Sequence, residues 1–132
     1  MCKVAALIGF VFIVFIIWII YLANTGGHSV FFEWVHVIPY GDKVGHVGIF
    51  GFLTFIAIIA SRFKRFSVKC VTLYYGAICV GLFVIAEECS QAFVATRTFD
   101  LYDLAADFIG ITGASVIAFF IHQKIKMSRN SA

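Results

Sequence analysis

The sequence predicts an all-α integral membrane protein, a four-helix bundle with both termini in the cytoplasm. Three observations predict it. The 132 residues are 62% hydrophobic and 13% charged, with a mean hydropathy of +1.01, and a soluble domain this small has too little interior to hide that much apolar surface. The apolar residues fall into four long stretches, which place helices at about residues 4–22, 42–60, 70–93 and 101–121 of a single transmembrane domain spanning 1–132. The charges, finally, are segregated by sign along the chain. Lys3, then Arg62, Lys64, Arg65 and Lys69, then Lys124, Lys126 and Arg129 put eight basic residues on one side, against Lys43 and Arg97 on the other. The positive-inside rule makes the eight-residue side cytoplasmic.

Helix 1, Val4 to Leu22, is apolar throughout. Its nineteen residues match a span, and they are too long for a signal-peptide core, with no small-residue cleavage site after them. Trp18 and Tyr21 sit near one end, as interfacial aromatics do. Residues 24–41 read as a loop, with breakers at Asn24-Thr25-Gly26-Gly27 and Pro39. Within it, residues 30–38 are too short to span and suit an interfacial segment, where Glu33 and His36 are three apart.

Helix 2 opens on Asp42 as its expected N-cap, with His46 one turn further along the same face. Gly41, Gly45 and Gly48 offer a small surface for a neighbouring backbone. Helix 3 is apolar until Glu87 and Glu88, with Gly76 and Gly81 as small contact points. Gln91 lies four residues from Glu87 and three from Glu88, so it shares a face with either. Helix 4 carries Asp100, Asp103, Asp107 and Gly110 at spacings of 3, 4 and 3, one stripe that is polar at its start and small further in. Gly113 extends the small surface.

Five of the seven acidic residues lie between Glu87 and Gly110. Ionisable groups persist in apolar surroundings mainly where they pair, face a bundle interior or line a wet cavity. The expected functional cluster is therefore Asp42, His46, Glu87, Glu88, Gln91, Arg97, Asp100, Asp103 and Asp107, gathered at the outward end. Arg97 either closes a salt bridge to Asp100 or Asp103 or meets an anionic lipid headgroup with its planar fork. His46 either staples helix 2 to Glu88 or Gln91 of helix 3 or carries protons. No ligand-dense motif points to a metal, and no cofactor is implied. The cysteines Cys2, Cys70, Cys79 and Cys89 have no redox or zinc spacing and read as small hydrophobes. The basic end suits anionic lipid rather than nucleic acid.

At these residues the chain resembles the VanZ-like family, named for a teicoplanin-resistance protein. The first motif is Asp42-Lys43-Val44-Gly45-His46. The second is Glu88 three before Gln91, Arg97 six after it, then Asp103, Asp107 and Gly110, with Glu87 where many members carry a further acidic residue. The resemblance covers about residues 40–120. The chain departs from it at Ala95-Thr96, where members often have Pro-Gly, and at Ser90, where a histidine is frequent. The resemblance implies a bacterial cytoplasmic-membrane protein associated with tolerance of glycopeptide antibiotics. The outward polar cluster, with Arg97 for an anionic headgroup, leads to the expectation of a non-enzymatic protein that binds an envelope lipid or cell-wall precursor, with membrane lipids and a precursor or glycopeptide-related ligand as partners. Two other readings stay open. One is a membrane enzyme acting on a lipid-linked substrate, with His46 and Glu88 as acid and base. The other is a small proton-coupled transporter, for which four helices would have to oligomerise.

Overall fold

The computed structural model describes residues 2–25, 39–69, 71–95 and 97–130. The expected interfacial segment, with Glu33 and His36, lies outside them, as does Cys70. Four helices dominate: α1 (Cys2–Asn24), α2 (Gly41–Ala60), α3 (Tyr75–Gln91) and α4 (Leu101–Asn130). Three of them, α1, α2 and α4, are long and apolar enough to cross a membrane. The 17 residues of α3 stand at the lower limit for a span.

The chain is not all-α. Strands β1 (Arg65–Val68) and β2 (Val71–Tyr74) form an antiparallel hairpin between α2 and α3. Phe66, Val68, Val71, Thr72 and Tyr74 are β-branched or aromatic, the residues that suit a pleated ribbon. Lys69 begins the turn with φ at +53°, the left-handed geometry of a tight hairpin. The Ser67 and Thr72 hydroxyls pair across the strands at 3.2 Å. The stretch from 70 to 93 expected as one helix is thus divided, because a short apolar run fits strand and helix alike. At the other end of the chain, α4 continues past residue 121 to Asn130. Its last turns carry Lys124, Lys126 and Arg129, helix formers that suit a helix C-terminus.

Asp42 is not the N-cap of α2. That position belongs to Tyr40, in the left-handed region and with no side-chain cap. Asp42 sits in the first turn instead, where a carboxylate still favours the positive end of the helix dipole. The true side-chain cap is Asp100 on α4, whose Oδ1 accepts from the Tyr102 N–H at 2.8 Å.

The core lies where Phe50 and Leu53 of α2 meet Val80 and Val84 of α3 and Ile111 of α4, with Ile16 of α1 closing one side. The most extensive helix contact is α2 on α4, and α1 packs chiefly on α2. Both α2 and α4 start at the same end, so they run parallel and match residue for residue down their length. Two backbone approaches set the spacing of α2 from its neighbours, one to α4 and one to α3. A Cβ on Gly110 would collide with the Val47 carbonyl oxygen and come within 3.0 Å of the Gly51 nitrogen. A Cβ on Gly76 of α3 would stand 2.6 Å from the Ala57 carbonyl carbon. Gly45, Gly48 and Gly113, expected as packing glycines, have open space where a Cβ would stand. Gly81 meets only the Phe108 ring, at an ordinary 3.8 Å. Cys79 and Cys89 are unbonded and exposed on the outer surface of α3 rather than buried in it.

The two glycines of α4 should therefore respond oppositely to one methyl group. Gly110→Ala forces α2 and α4 apart and should cost about 1–3 kcal/mol. Gly113→Ala meets nothing and should stabilise the helix by about 0.5–1 kcal/mol. Unfolding midpoints in detergent separate the two, and equal shifts would remove the proposed close contact.

Candidate functional site

The site is built where four helix ends meet: the end of α1, the start of α2, the end of α3 and the start of α4. Parallel packing sets the acidic stripe of α4 against one face of α2, and the partners follow in order. The Lys43 ammonium donates to Asp103 Oδ1 at 2.5 Å, to Asp42 Oδ2 at 2.8 Å and to Asp100 Oδ2 at 3.0 Å. One turn deeper, His46 Nδ1 bonds Asp107 Oδ1 at 2.9 Å, and Nε2 lies 3.9 Å from Asp103 Oδ2. A further turn brings the Gly110 contact with Val47 and Gly51. Charge gives way to backbone packing within three helical turns.

Lys43 is the residue that sequence reasoning missed as part of the cluster. The signal was present: Lys43, His46, Val47 and Phe50 share one helical face, and the stripe they face holds carboxylates. Asp100 lies ahead of α4, and the Lys43 ammonium beside it holds its carboxyl below the usual carboxylate range, helped by the Tyr102 N–H. This contribution to stability is present above about pH 4 and is lost as pH falls through the lowered pKa.

A second network joins α3 to the loop before α4. Glu88 is fully buried. Its Oε1 accepts from the Asp100 backbone N–H at 2.8 Å, and its Oε2 accepts from Gln91 Nε2 at 3.0 Å. Gln91, also buried, donates as well to both oxygens of Glu87, at 3.2 and 3.1 Å. Its carbonyl accepts from Arg97 Nε at 3.2 Å. The Arg97 N–H donates to the Val94 carbonyl at 3.1 Å, so the loop closes without the Pro-Gly pair.

These contacts revise three expectations. His46 staples α2 to α4 through Asp107, not to Glu88 or Gln91 of α3. Glu88 pins a loop, accepting from the Asp100 N–H and from Gln91, and makes no hydrogen bond to His46. Arg97 forms no salt bridge to Asp100 or Asp103, because Lys43 already holds both. Asp107, the deepest of the acids, is fully buried, and its Oδ2 has no partner among the described residues. No group of three metal-ligating side chains occurs among the described residues.

The two networks border one cavity of about 450 Å³. Asp42, His46, Glu87, Gln91, Arg97, Asp100 and Asp103 line its polar part. Phe15, Ile16, Ile19 and Ile20 of α1, with Ile49 and Phe50 of α2, line the apolar part. Its volume falls within the range of small-molecule sites, and such walls suit an amphiphile.

The Lys43 cluster can be tested by charge arithmetic. Lys43→Met leaves Asp42, Asp100 and Asp103 with no cation and should lower the unfolding midpoint by several degrees at neutral pH. Adding Asp103→Asn removes one repelling charge and should recover part of that loss. An equal loss in single and double variants would reduce Lys43 to an ordinary surface cation.

No family model matches the chain, and no solved structure matches it. The chain is similar to an uncharacterized protein of the fission yeast Schizosaccharomyces pombe, 29% identical over 96 residues, which are 70% of this chain. The matched region is 57% of that protein, so the chain spans little more than half the length of this relative.

Proposed function

We propose that this chain is a multi-pass membrane protein that binds an amphiphile with an anionic headgroup in the cavity between α1 and the other three helices. The observation that carries this reading is the state of Arg97. Of its guanidinium nitrogens only Nε has a protein partner among the described residues, and the side chain forms no ion pair with any of them. A guanidinium on a cavity wall with its outer N–H groups free is a fork for phosphate or carboxylate. The apolar α1 wall beside it takes the hydrocarbon part of the same molecule.

Membrane insertion is supported by where the apolar surface lies. Leu7, Phe10, Val11 and Trp18 of α1 are all exposed, as are Leu101, Ile109, Ile117 and Phe120 of α4. A helix apolar all round and exposed belongs in lipid. The hairpin fits the same placement. It carries open strand edges that hydrocarbon does not tolerate, and it stands among Arg62, Lys64, Arg65 and Lys69, the basic side expected in the cytoplasm. The cavity then opens at the outer face. Cysteines placed at positions 67 and 98, in a chain whose four native cysteines are replaced by serine, should label from inside and outside respectively. The opposite pattern would invert the topology.

The ligand in this reading is an envelope lipid or cell-wall precursor. The link to teicoplanin tolerance and to a bacterial cytoplasmic membrane rests on the VanZ-like resemblance alone. The fission-yeast relative is eukaryotic and lends that link no support.

Native mass spectrometry of the full chain extracted in mild detergent tests the binding. Wild type should carry a phosphate-bearing lipid. Arg97→Lys keeps the charge but not the fork and should lose most of that lipid at an unchanged unfolding midpoint. A variant that retains the lipid fully would overturn this reading.

A further inference from the structure

Gln91 holds two opposite charges and keeps them apart. Its amide nitrogen engages Glu87, and its carbonyl engages Arg97. Both charged residues line the cavity. They do not neutralise each other: no ion pair within 4 Å joins them, and neither pairs with another described residue. The other carboxylates on the cavity wall, Asp42, Asp100 and Asp103, are all bonded to Lys43. Glu87 is therefore the one carboxylate of the described lining with no cation. Its two oxygens share a single donor nitrogen, although a carboxylate accepts about four hydrogen bonds.

We infer that the cavity selects a zwitterionic amphiphile, a lipid whose headgroup carries a phosphate and a primary ammonium, with the phosphate on Arg97 and the ammonium on Glu87. The inference rests on the lipid-binding reading above and specifies its ligand class. An anionic headgroup alone would satisfy Arg97 and leave Glu87 facing a like charge. An ammonium alone would do the reverse. A headgroup carrying both satisfies each without disturbing Gln91, which is buried and fixed by Glu88 from behind. A primary ammonium also donates hydrogen bonds to the carboxylate, and charge-assisted bonds of this kind are the stronger ones. The α1 wall of Phe15, Ile16, Ile19 and Ile20 makes the occupant a lipid rather than a free zwitterion.

The full chain reconstituted in vesicles of equal phosphatidylethanolamine and phosphatidylglycerol, then extracted and weighed by native mass spectrometry, tests this directly. Wild type should retain phosphatidylethanolamine over phosphatidylglycerol by about tenfold, the scale of one charge-assisted hydrogen bond. Glu87→Gln should bring that ratio to about one by loss of phosphatidylethanolamine, with the unfolding midpoint as the check that the fold holds. Glu87→Asp, which keeps the charge, should retain a preference for phosphatidylethanolamine. Equal retention by wild type, or an unchanged ratio in Glu87→Gln, overturns the zwitterion assignment. Displacement of the lipid by an equimolar amount of soluble glycerophosphoethanolamine, which lacks the tails, overturns the lipid as occupant. Arg97→Lys separates the two levels. If it sheds lipid while Glu87→Gln leaves the ratio unchanged, binding stands and only the headgroup assignment fails. If it keeps its lipid, the binding reading itself fails.

Discussion

The parallel seam between α2 and α4 is the constraint on which the rest of the structure depends. Burying carboxylates is costly unless each finds a partner, and here four acids find only two cationic or ionisable partners, Lys43 and His46. Those partners work only if α2 and α4 start at the same level and run in the same direction. A shift of one turn would set Lys43 opposite Asp107 and leave Asp100 and Asp103 side by side without the Lys43 ammonium. The Gly110 approach to Val47 and Gly51 holds that level from below, since a Cβ at position 110 would collide with the Val47 carbonyl. Charge pairing and close packing thus fix the same register by independent means.

This seam decides what remains for function. Because Lys43 occupies Asp42, Asp100 and Asp103 together, it removes them as partners for Arg97. The guanidinium is then turned to Gln91, a neutral amide, instead of being quenched by a carboxylate. Glu87 is spared in the same way. A salt bridge between Arg97 and Asp103 would have produced a closed clamp with nothing left over. The observed arrangement spends one lysine on structure and leaves an arginine and a glutamate facing a cavity.

Much of this was legible in the sequence. The four apolar stretches, and the sign segregation of the charges, place the ends of α1 and α3 with the starts of α2 and α4. The 3, 4, 3 spacing from Asp100 to Gly110 marks the buried face of α4. What was not legible has physical causes. The hairpin was hidden because residues 71–74 carry apolar β-branched and aromatic side chains that a buried helix also uses. Gly45 and Gly113 looked equivalent to Gly110, and only the crossing point of two helices tells them apart. Level along the helices alone points His46 to Glu88 or Gln91 of α3. The choice of Asp107 instead depends on the rotation of α2, which periodicity does not report. Lys43 was seen as a charge to be counted rather than as the hub, since its three partners come from two segments 57 and 60 residues away and from its own neighbour.

The two walls of the cavity differ in how firmly they are held, and this bears on how an amphiphile would reach it. Hydrogen bonds and ion pairs between α2, α3 and α4 tie the polar wall on several sides. The apolar wall is α1, which packs chiefly on α2 and has Phe12, Ile16 and Ile20 against the core. Along Phe15 to Ile20 that wall is apolar, and in lipid apolar contacts gain little over contact with acyl chains. Parting α1 from α2 would break none of the ion pairs that join α2 to α4. A ligand entering by that seam would lie with its tail against α1 and its headgroup toward Gln91. The same asymmetry explains why the charges converge on α2, α3 and α4 and why α1, with Lys3 as its one charged residue, contributes only hydrocarbon to the site.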